Sequence, residues 1–325
     1  MTNWDGCRWD GRSGHYESWF QRANHPTRPL ALWIRHTLFC PKGNPGAAEG
    51  EIWSVWSDGE KGTTFAQKTE LPRRDCSFDS KSLDVKMPGG SLKPGHVEGG
   101  TGKLEWNLKF GGGGPVSLLM PEAVYTAGFP KAKALCSMPN AKFDGTFTVA
   151  GETHRIDSWP GSHNHNWGSQ HTDRYAWGQV CGFDDAPDAF LECGTAQVKV
   201  GPLMTPKVTV AVLNLDGRRY ELNSIPRGAF VKASIDGFQW RFHSVSDGVA
   251  LDVALDAAPE RFAALRYRNP PGGVKACLNS KLARCTVRLT ENDKTRTLTS
   301  AHRAAFEILC EDTDPRVAQV GGFQV

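Results

Sequence analysis

The sequence predicts an all-β protein: many short antiparallel strands in two packed units, with few short helices. Three observations lead there. The chain has 325 residues, enough for a well-buried core and for two units rather than one. Its 35 Gly and 20 Pro punctuate it with turns at a density that suits short strands better than long helices. Between those turns, apolar and aromatic runs recur at similar spacing, the pattern of a barrel or a sandwich. Hydrophobic residues at 39% and charged residues at 22% are ordinary globular usage, which argues against disorder.

Taken in order, the chain begins irregularly, rich in Trp, Gly and Arg as far as Pro29, with a short helix expected at Tyr16–Arg22. Leu30–Phe39 reads as a strand between Pro29 and Pro41. Glu51–Asp58 places Ile52 and Trp56 on one side and Trp53 and Val55 on the other, so this strand is expected to be covered on both faces. Strands follow at Lys61–Glu70, Lys81–Met87, Leu104–Phe110 and Lys142–Ala150, separated by Gly-rich turns such as Gly111–Gly114. The second half continues with Tyr175–Phe183, Phe190–Val200, Lys207–Leu213, Ala229–Ile235, Phe238–His243 and Val249–Leu255. Phe262–Arg268, Ala283–Leu289 and Ala304–Cys310 complete it, with a second short helix expected within Asn279–Arg284. No repeat of 20–50 residues is visible, although two similar barrels need not share one. The expected division is 1–155 and 156–325.

Several function classes fit poorly. Net charge is +3 and the basic residues form only short pairs such as Arg73-Arg74, so a phosphate backbone finds no concentrated counter-surface and nucleic acid is not expected. No apolar run approaches the roughly 18 residues needed to span a bilayer. The first residues lack an apolar core behind a basic start, so no secretory signal and a cytoplasmic location are expected. Nine cysteines occur without a single Cys-x-x-Cys pair, which reads as reduced, buried thiols rather than a zinc ribbon. Gly111–Gly114 lacks the Lys-Ser/Thr ending of a phosphate loop, and neither a Gly-x-Ser-x-Gly element nor a dinucleotide fingerprint is present.

One stretch stands apart: Trp159–Gly182, WPGSHNHNWGSQHTDRYAWGQVCG. In extended backbone, His163 and His165 point one way and Asn164 and Asn166 the other. Tyr175, Trp177, Gln179 and Cys181 likewise share one face of the next strand. Aromatic walls with a few placed polar groups are how small-molecule pockets are commonly lined. Three readings remain open from the residues. The His and Asn side chains satisfy turns while the aromatics fill a core. His163, His165 and His171 ligate a metal, although the carboxylate that usually follows such a pair is missing. Or an organic pocket uses His or Asp to move a proton.

The order YESWF, LALWIRHTLF, EIWSVWSD, then HNHNWG, YAWGQV and LRYRNPPGG resembles a lipocalin-like superfamily. Its members include carotenoid 1,2-hydratases (hydroxyneurosporene synthases), tocopherol cyclases and decalin-forming Diels–Alderases, and the resemblance runs from about Tyr16 to Leu309. It implies two lipocalin-like β-barrel domains side by side, a ligand cavity at or near their junction, and no cofactor. It further implies a hydratase or cyclase acting on a lipophilic isoprenoid-like substrate by acid-assisted alkene activation. The alternatives are a pericyclase of secondary metabolism, a non-catalytic carrier of a hydrophobic ligand, or a metalloenzyme using His163, His165 and His171. The candidate proton donors are His165, Asp173 and Glu17. His163, Asn164, Asn166, Trp167, Tyr175, Trp177 and Trp33 are the candidate substrate-binding residues. Arg35, inside an apolar strand, must face solvent or find a buried partner.

Overall fold

A computed structural model of the protein describes residues 3–311 and 314–319. It is nearly all β, and helices among the described residues are confined to single turns such as Ala123–Thr126 and Ile225–Gly228. Two large antiparallel sheets lie side by side, each curled into a half-barrel around its own apolar core.

The first sheet runs Thr63–Pro72, Glu49–Asp58, Leu30–Cys40, His15–Asn24, Glu152–Gly168, Ala132–Val149, Leu104–Gly111 and His96–Thr101, and on through three short strands. The second runs Arg218–Leu222, Val208–Leu215, Phe190–Gln197, Arg174–Cys181, Lys294–Cys310, Val274–Glu291, Val249–Asp256, Gln239–Ser246 and Lys232–Asp236. The order is the same in both: a four-strand meander whose first strand pairs with the returning arm of a long hairpin. In each hairpin the register slips midway, around Cys136–Gly145 in the first and Ser280–Cys285 in the second. Such bulges add a residue on one side and bend the strand, which lets an 18-residue strand leave one barrel wall and turn onto another face.

The burial patterns follow from this arrangement. Strands with one face in water alternate, as in Leu104–Gly111 and Gln239–Ser246. Where the two sheets face each other both sides of a strand are covered, and all of Leu30–Cys40 is buried. Glu49–Asp58 shows the two faces separately: Trp56 packs in the first core, while Trp53 meets Tyr267 of the second sheet at 5.7 Å between centroids. Two expected helices are strands. Tyr16–Arg22 lies in His15–Asn24, hydrogen-bonded on both sides to Leu30–Cys40 and Glu152–Gly168, and its mixed polarity arises because it too is covered on both faces. Asn279–Arg284 falls within Val274–Glu291 at the bulge, where irregular register blurs the two-residue period. Gly161 is required where its strand crosses His15–Asn24, since a Cβ there would strike the Arg22 carbonyl oxygen. Eight of the nine cysteines are buried. No helix among the described residues is long and apolar enough to cross a membrane.

Candidate functional site

The facing walls of the two sheets carry a polar seam and, beside it, a cavity. At the seam, buried Arg22 donates from Nε to Gln179 Oε1 (2.8 Å) and from Nη1 to Asn24 Oδ1 (2.8 Å), with a further bond from Nη2 to the Gln179 carbonyl (3.0 Å). Gln179 in turn donates to Asn164 Oδ1 at 2.8 Å, and Asn164 donates to Ser162 Oγ at 2.8 Å. Every one of these groups is buried, so the network fixes how the sheets meet rather than leaving polar groups stranded.

The cavity holds about 250 Å³ between the sheets and is covered by the segment that contains Leu119, Met120 and Phe129. Phe20, Trp33, Tyr175 and Trp177 supply aromatic wall, while Gly194, Val208 and Val210 supply small apolar wall from the second sheet. Two carboxyls open onto it in different states. Burial pushes Glu192 up to about 7, only partly offset by the Trp177 hydrogen bond, by the charges of Arg219 and Arg22 and by the neighbouring Gln179 amide. Its Oε1 accepts from Trp177 Nε1 at 3.2 Å, and its Oε2 has no partner among the described residues. Glu307 is also pushed up by burial, but the charge and hydrogen bond of Lys281 outweigh this and hold it below the ordinary range. Its oxygens accept from Lys281 Nζ and Asn279 Nδ2, each at 2.8 Å, and from the Tyr175 hydroxyl at 3.3 Å. One carboxyl is thus ionised and fully engaged; the other is half protonated at neutral pH with an idle oxygen. Paired carboxyls pushed apart in this way are the signature of an acid–base assignment.

Around them, burial first and Arg35 second push His171 down to about 3, so it is neutral, and its Nε2 faces the Arg268 carbonyl at 3.1 Å. The Arg35 guanidinium lies over the Tyr267 ring at 4.6 Å and donates to Ser18 Oγ at 2.7 Å.

The residues singled out from the sequence divide between this cavity and the first core. Asn164, Asn166, Tyr175, Trp177 and Trp33 line the cavity, on the face that strand alternation assigns them. His163, His165 and Glu17 lie on the other face, inside the first half-barrel, away from the cavity wall. His165 stacks on Trp19 at 4.9 Å, and its Nε2 meets Glu17 Oε1 at 2.8 Å while its Nδ1 meets the Trp4 carbonyl at 2.6 Å. Both ring nitrogens thus face oxygen atoms, one of them the Glu17 carboxylate. Burial alone would raise Glu17, yet hydrogen bonds from His15 and His165 and their charges bring it to about 2. Trp167 packs with Tyr125 and Leu135, beneath the Arg8 guanidinium at 4.2 Å. Asp173 sits beyond the cavity's edge, accepting the Lys199 backbone N–H at 2.7 Å, with Lys275 Nζ 3.9 Å away.

The three histidines are not gathered as a metal site would need: His163 accepts from Gln21 at 2.8 Å inside the first core, while the His171 ring lies tilted against Tyr16, 4.0 Å between centroids, on the opposite face. Among the described residues the one set of three donors close enough to share an ion is Glu49, Glu51 and Glu70, and Arg268 already bonds into it. Glu192 was not singled out from the sequence. The signal was present, since it stands between Leu191 and Cys193 in an apolar strand, as Arg35 does in its own.

The tocopherol cyclase-like family matches residues 130–308. Uncharacterized protein Rv0493c of Mycobacterium tuberculosis is 24% identical over 280 residues, covering 85% of this chain and 82% of its own length. Among solved structures, an AttH-like protein of Nitrosomonas europaea superposes with a TM-score of 0.58 at 12% identity, over 96% of this chain and 98% of that one. Kievitone hydratase of Nectria haematococca superposes with a TM-score of 0.57 at 10% identity, over 95% and 93% of the two chains. At those identities the two structures speak for the fold.

Proposed function

This chain belongs to the tocopherol cyclase-like family, and from that premise we propose that it is a cofactor-independent hydratase or cyclase of a lipophilic, isoprenoid-like alkene, with Glu192 as the proton donor. The observation that carries the reading is the Glu192 carboxyl: buried, poised at about 7, held on one oxygen by Trp177 and free on the other. A general acid works best when its pKa lies near the working pH. Kievitone hydratase, whose fold this chain shares, is named for a hydration, which supports the same class.

In this reading the Glu192 O–H bond breaks as a C–H bond forms on the alkene, and the π pair leaves a carbocation on the neighbouring carbon. The faces of Trp177, Trp33 and Phe20 stabilise that cation through their quadrupoles, by about 0.5–2 kcal/mol each when water is excluded. Attack by water gives the hydrated product; attack by a hydroxyl of the same molecule gives a ring. Either way the oxygen gives up a proton to the Glu192 carboxylate, so the acid is regenerated. Glu307 stays ionised and orders the Tyr175 hydroxyl. The His165–Glu17 pair and Asp173 act in this reading as positioning groups, the first by holding the inner face of Glu152–Gly168 and the second by tying down Lys199.

Incubation with prenyl alcohols and prenylated phenols in deuterium oxide, followed by mass spectrometry, tests it. The expected result is deuterium incorporation at the former alkene, reduced at least about 100-fold in Glu192→Gln, the scale of a lost general acid, with ligand binding kept. Full turnover in Glu192→Gln overturns the assignment. Binding without turnover in both proteins would make the chain a carrier.

A further inference from the structure

The far wall of the cavity has a chemistry that alkene protonation does not use. Trp33 and Arg35 stand two residues apart on Leu30–Cys40 and so share the face that lines the cavity. Trp33 Nε1 and Arg35 Nε are both buried donors with no partner among the described residues. Buried donors are rarely left unpaired, because each forfeits its hydrogen bonds to water. Two idle donors on one face of a ligand cavity therefore mark where an acceptor belongs.

The charges lining the cavity say which kind of acceptor. Its lining cations are Arg35 and Lys133. Its lining carboxyls are Glu307, which is engaged by Lys281, and Glu192, which burial keeps half neutral. Arg35 has a hydroxyl and an aromatic face as neighbours rather than a hydrogen-bonded carboxylate. The charges of Glu51 and Glu307 act on Arg35 without bonding to it; a neutral carbonyl would fill the idle donors, whereas an anionic oxygen fills them and pairs directly with the guanidinium, and charge-assisted bonds are about twice as strong as neutral ones. The cations that act on Glu192 are Arg219 and Arg22, whereas Arg35 acts on Glu307 and His171. Headgroup and acid therefore occupy different parts of the wall, on different sheets.

We propose that Arg35 and Trp33 form a headgroup subsite for a carboxylate, so that the molecule taken up is an isoprenoid-like acid whose chain runs toward the Trp177 and Glu192 wall. The inference rests on the reading of the cavity given above for its chain-binding end, but not on Glu192 being the acid.

Tryptophan-fluorescence titration of the full chain at pH 8 with geranate and farnesoate, against geraniol and farnesol, tests it. The expected result is that one of the acids binds at least about tenfold more tightly than its alcohol, a preference typical of one desolvated charge pair. In Arg35→Met the acid falls to the affinity of the alcohol, and Arg35→Lys, which keeps the charge, recovers part of the difference. Equal affinity of acid and alcohol in the wild type, or no binding of any of the four, overturns the subsite without needing a variant. So does a preference that survives in folded Arg35→Met. If Glu192→Gln keeps its turnover while the preference for acid holds, the proposed acid falls and the subsite stands. If Glu192→Gln loses turnover and the wild type shows no preference, the subsite alone falls.

Discussion

The two half-barrels share a strand order but fill themselves differently. The second is dry: Trp240, Phe262, Phe306 and Leu255 pack together, and the Trp240 Nε1 is satisfied by Thr195 Oγ1 at 3.1 Å. The first takes ionisable groups into its interior, where Glu17, His165 and His163 sit among Trp19, Phe110 and Phe143, with half-buried Asp5 beside His163. There Glu17 is matched on both oxygens. Glu17 accepts from His165, His15 and the Arg8 backbone N–H, so the carboxylate clamps the segment around Trp4–Arg8 against the barrel. Glu192, on the outer face of the dry barrel, is matched on one oxygen only. The comparison teaches that burial alone does not mark a working group: a saturated carboxylate is structural, and an unsaturated one in a cavity is available.

The largest effects should come from breaking each interior in its own currency. Trp240→Ala empties the dry core and should cost about 3–5 kcal/mol, measured by urea unfolding. Glu17→Gln should cost a similar amount, about 3–5 kcal/mol, because it breaks the buried His165–Glu17 pair and strips the anion from the donors gathered around it. The two variants separate in acid. Glu17 and Asp5 are both held at about 2, below their unfolded values, so their contribution is present above about pH 4 and is lost as pH falls through about 2. Glu17→Gln should flatten that acid-side loss, whereas Trp240→Ala should leave it unchanged in slope.

The same contrast explains what was legible in the sequence. Alternation on Trp159–Gly168 correctly separates His163 and His165 from Asn164 and Asn166, because a strand has no other way to place them. It cannot tell which face meets a cavity. His163 and His165 draw attention to the face that the structure uses for support, while His171 lies on the cavity side. Two tryptophans on opposite sides of Glu51–Asp58 do reveal a strand covered twice, since large aromatics on both faces need two cores. Tyr16–Arg22 looks helical only in isolation; its partners Phe39–Trp33 and Gly168–Ser162 flank it in the sheet, and pairing with the second, 140 residues or more along the chain, leaves no local trace. Glu192 escapes for a related reason. A single charge in an apolar strand says that it is buried or edge-facing, and only the third dimension shows that Trp177 supplies one hydrogen bond and nothing supplies the second.

A smaller and oppositely signed effect comes from Glu192 itself. Its folded value of about 7 lies above the ordinary carboxyl value of 4.5, so the stability linked to it is fully present below about pH 4.5 and is lost as pH rises through 7. The loss amounts to roughly 3 kcal/mol in total, at about 1.4 kcal/mol per pH unit of separation. Glu192→Gln cannot ionise but keeps the opposite contribution of the buried neutral His171 and His36, so the stability difference between wild type and Glu192→Gln isolates the carboxyl and should fall between pH 5 and pH 8. If that difference does not change over this interval, the carboxyl is ionised throughout and cannot serve as the acid.

The finest test reads the single hydrogen bond that distinguishes Glu192 from a wholly unpartnered carboxyl. The Trp177 indole donates to Oε1 and favours the ionised form, opposing burial. Trp177→Phe keeps an aromatic wall but removes that donor, so the neutral acid gains and its midpoint should move upward from about 7. An infrared titration of the buried carboxyl, referenced to Glu192→Gln, reads the shift directly. Glu17, with its donors on another face, should give the same low midpoint in both proteins. An upward shift confined to Glu192 would show that the two interiors titrate independently. A shift in both, or a downward one at Glu192, would mean that the indole sets the packing of the wall rather than the charge of the acid.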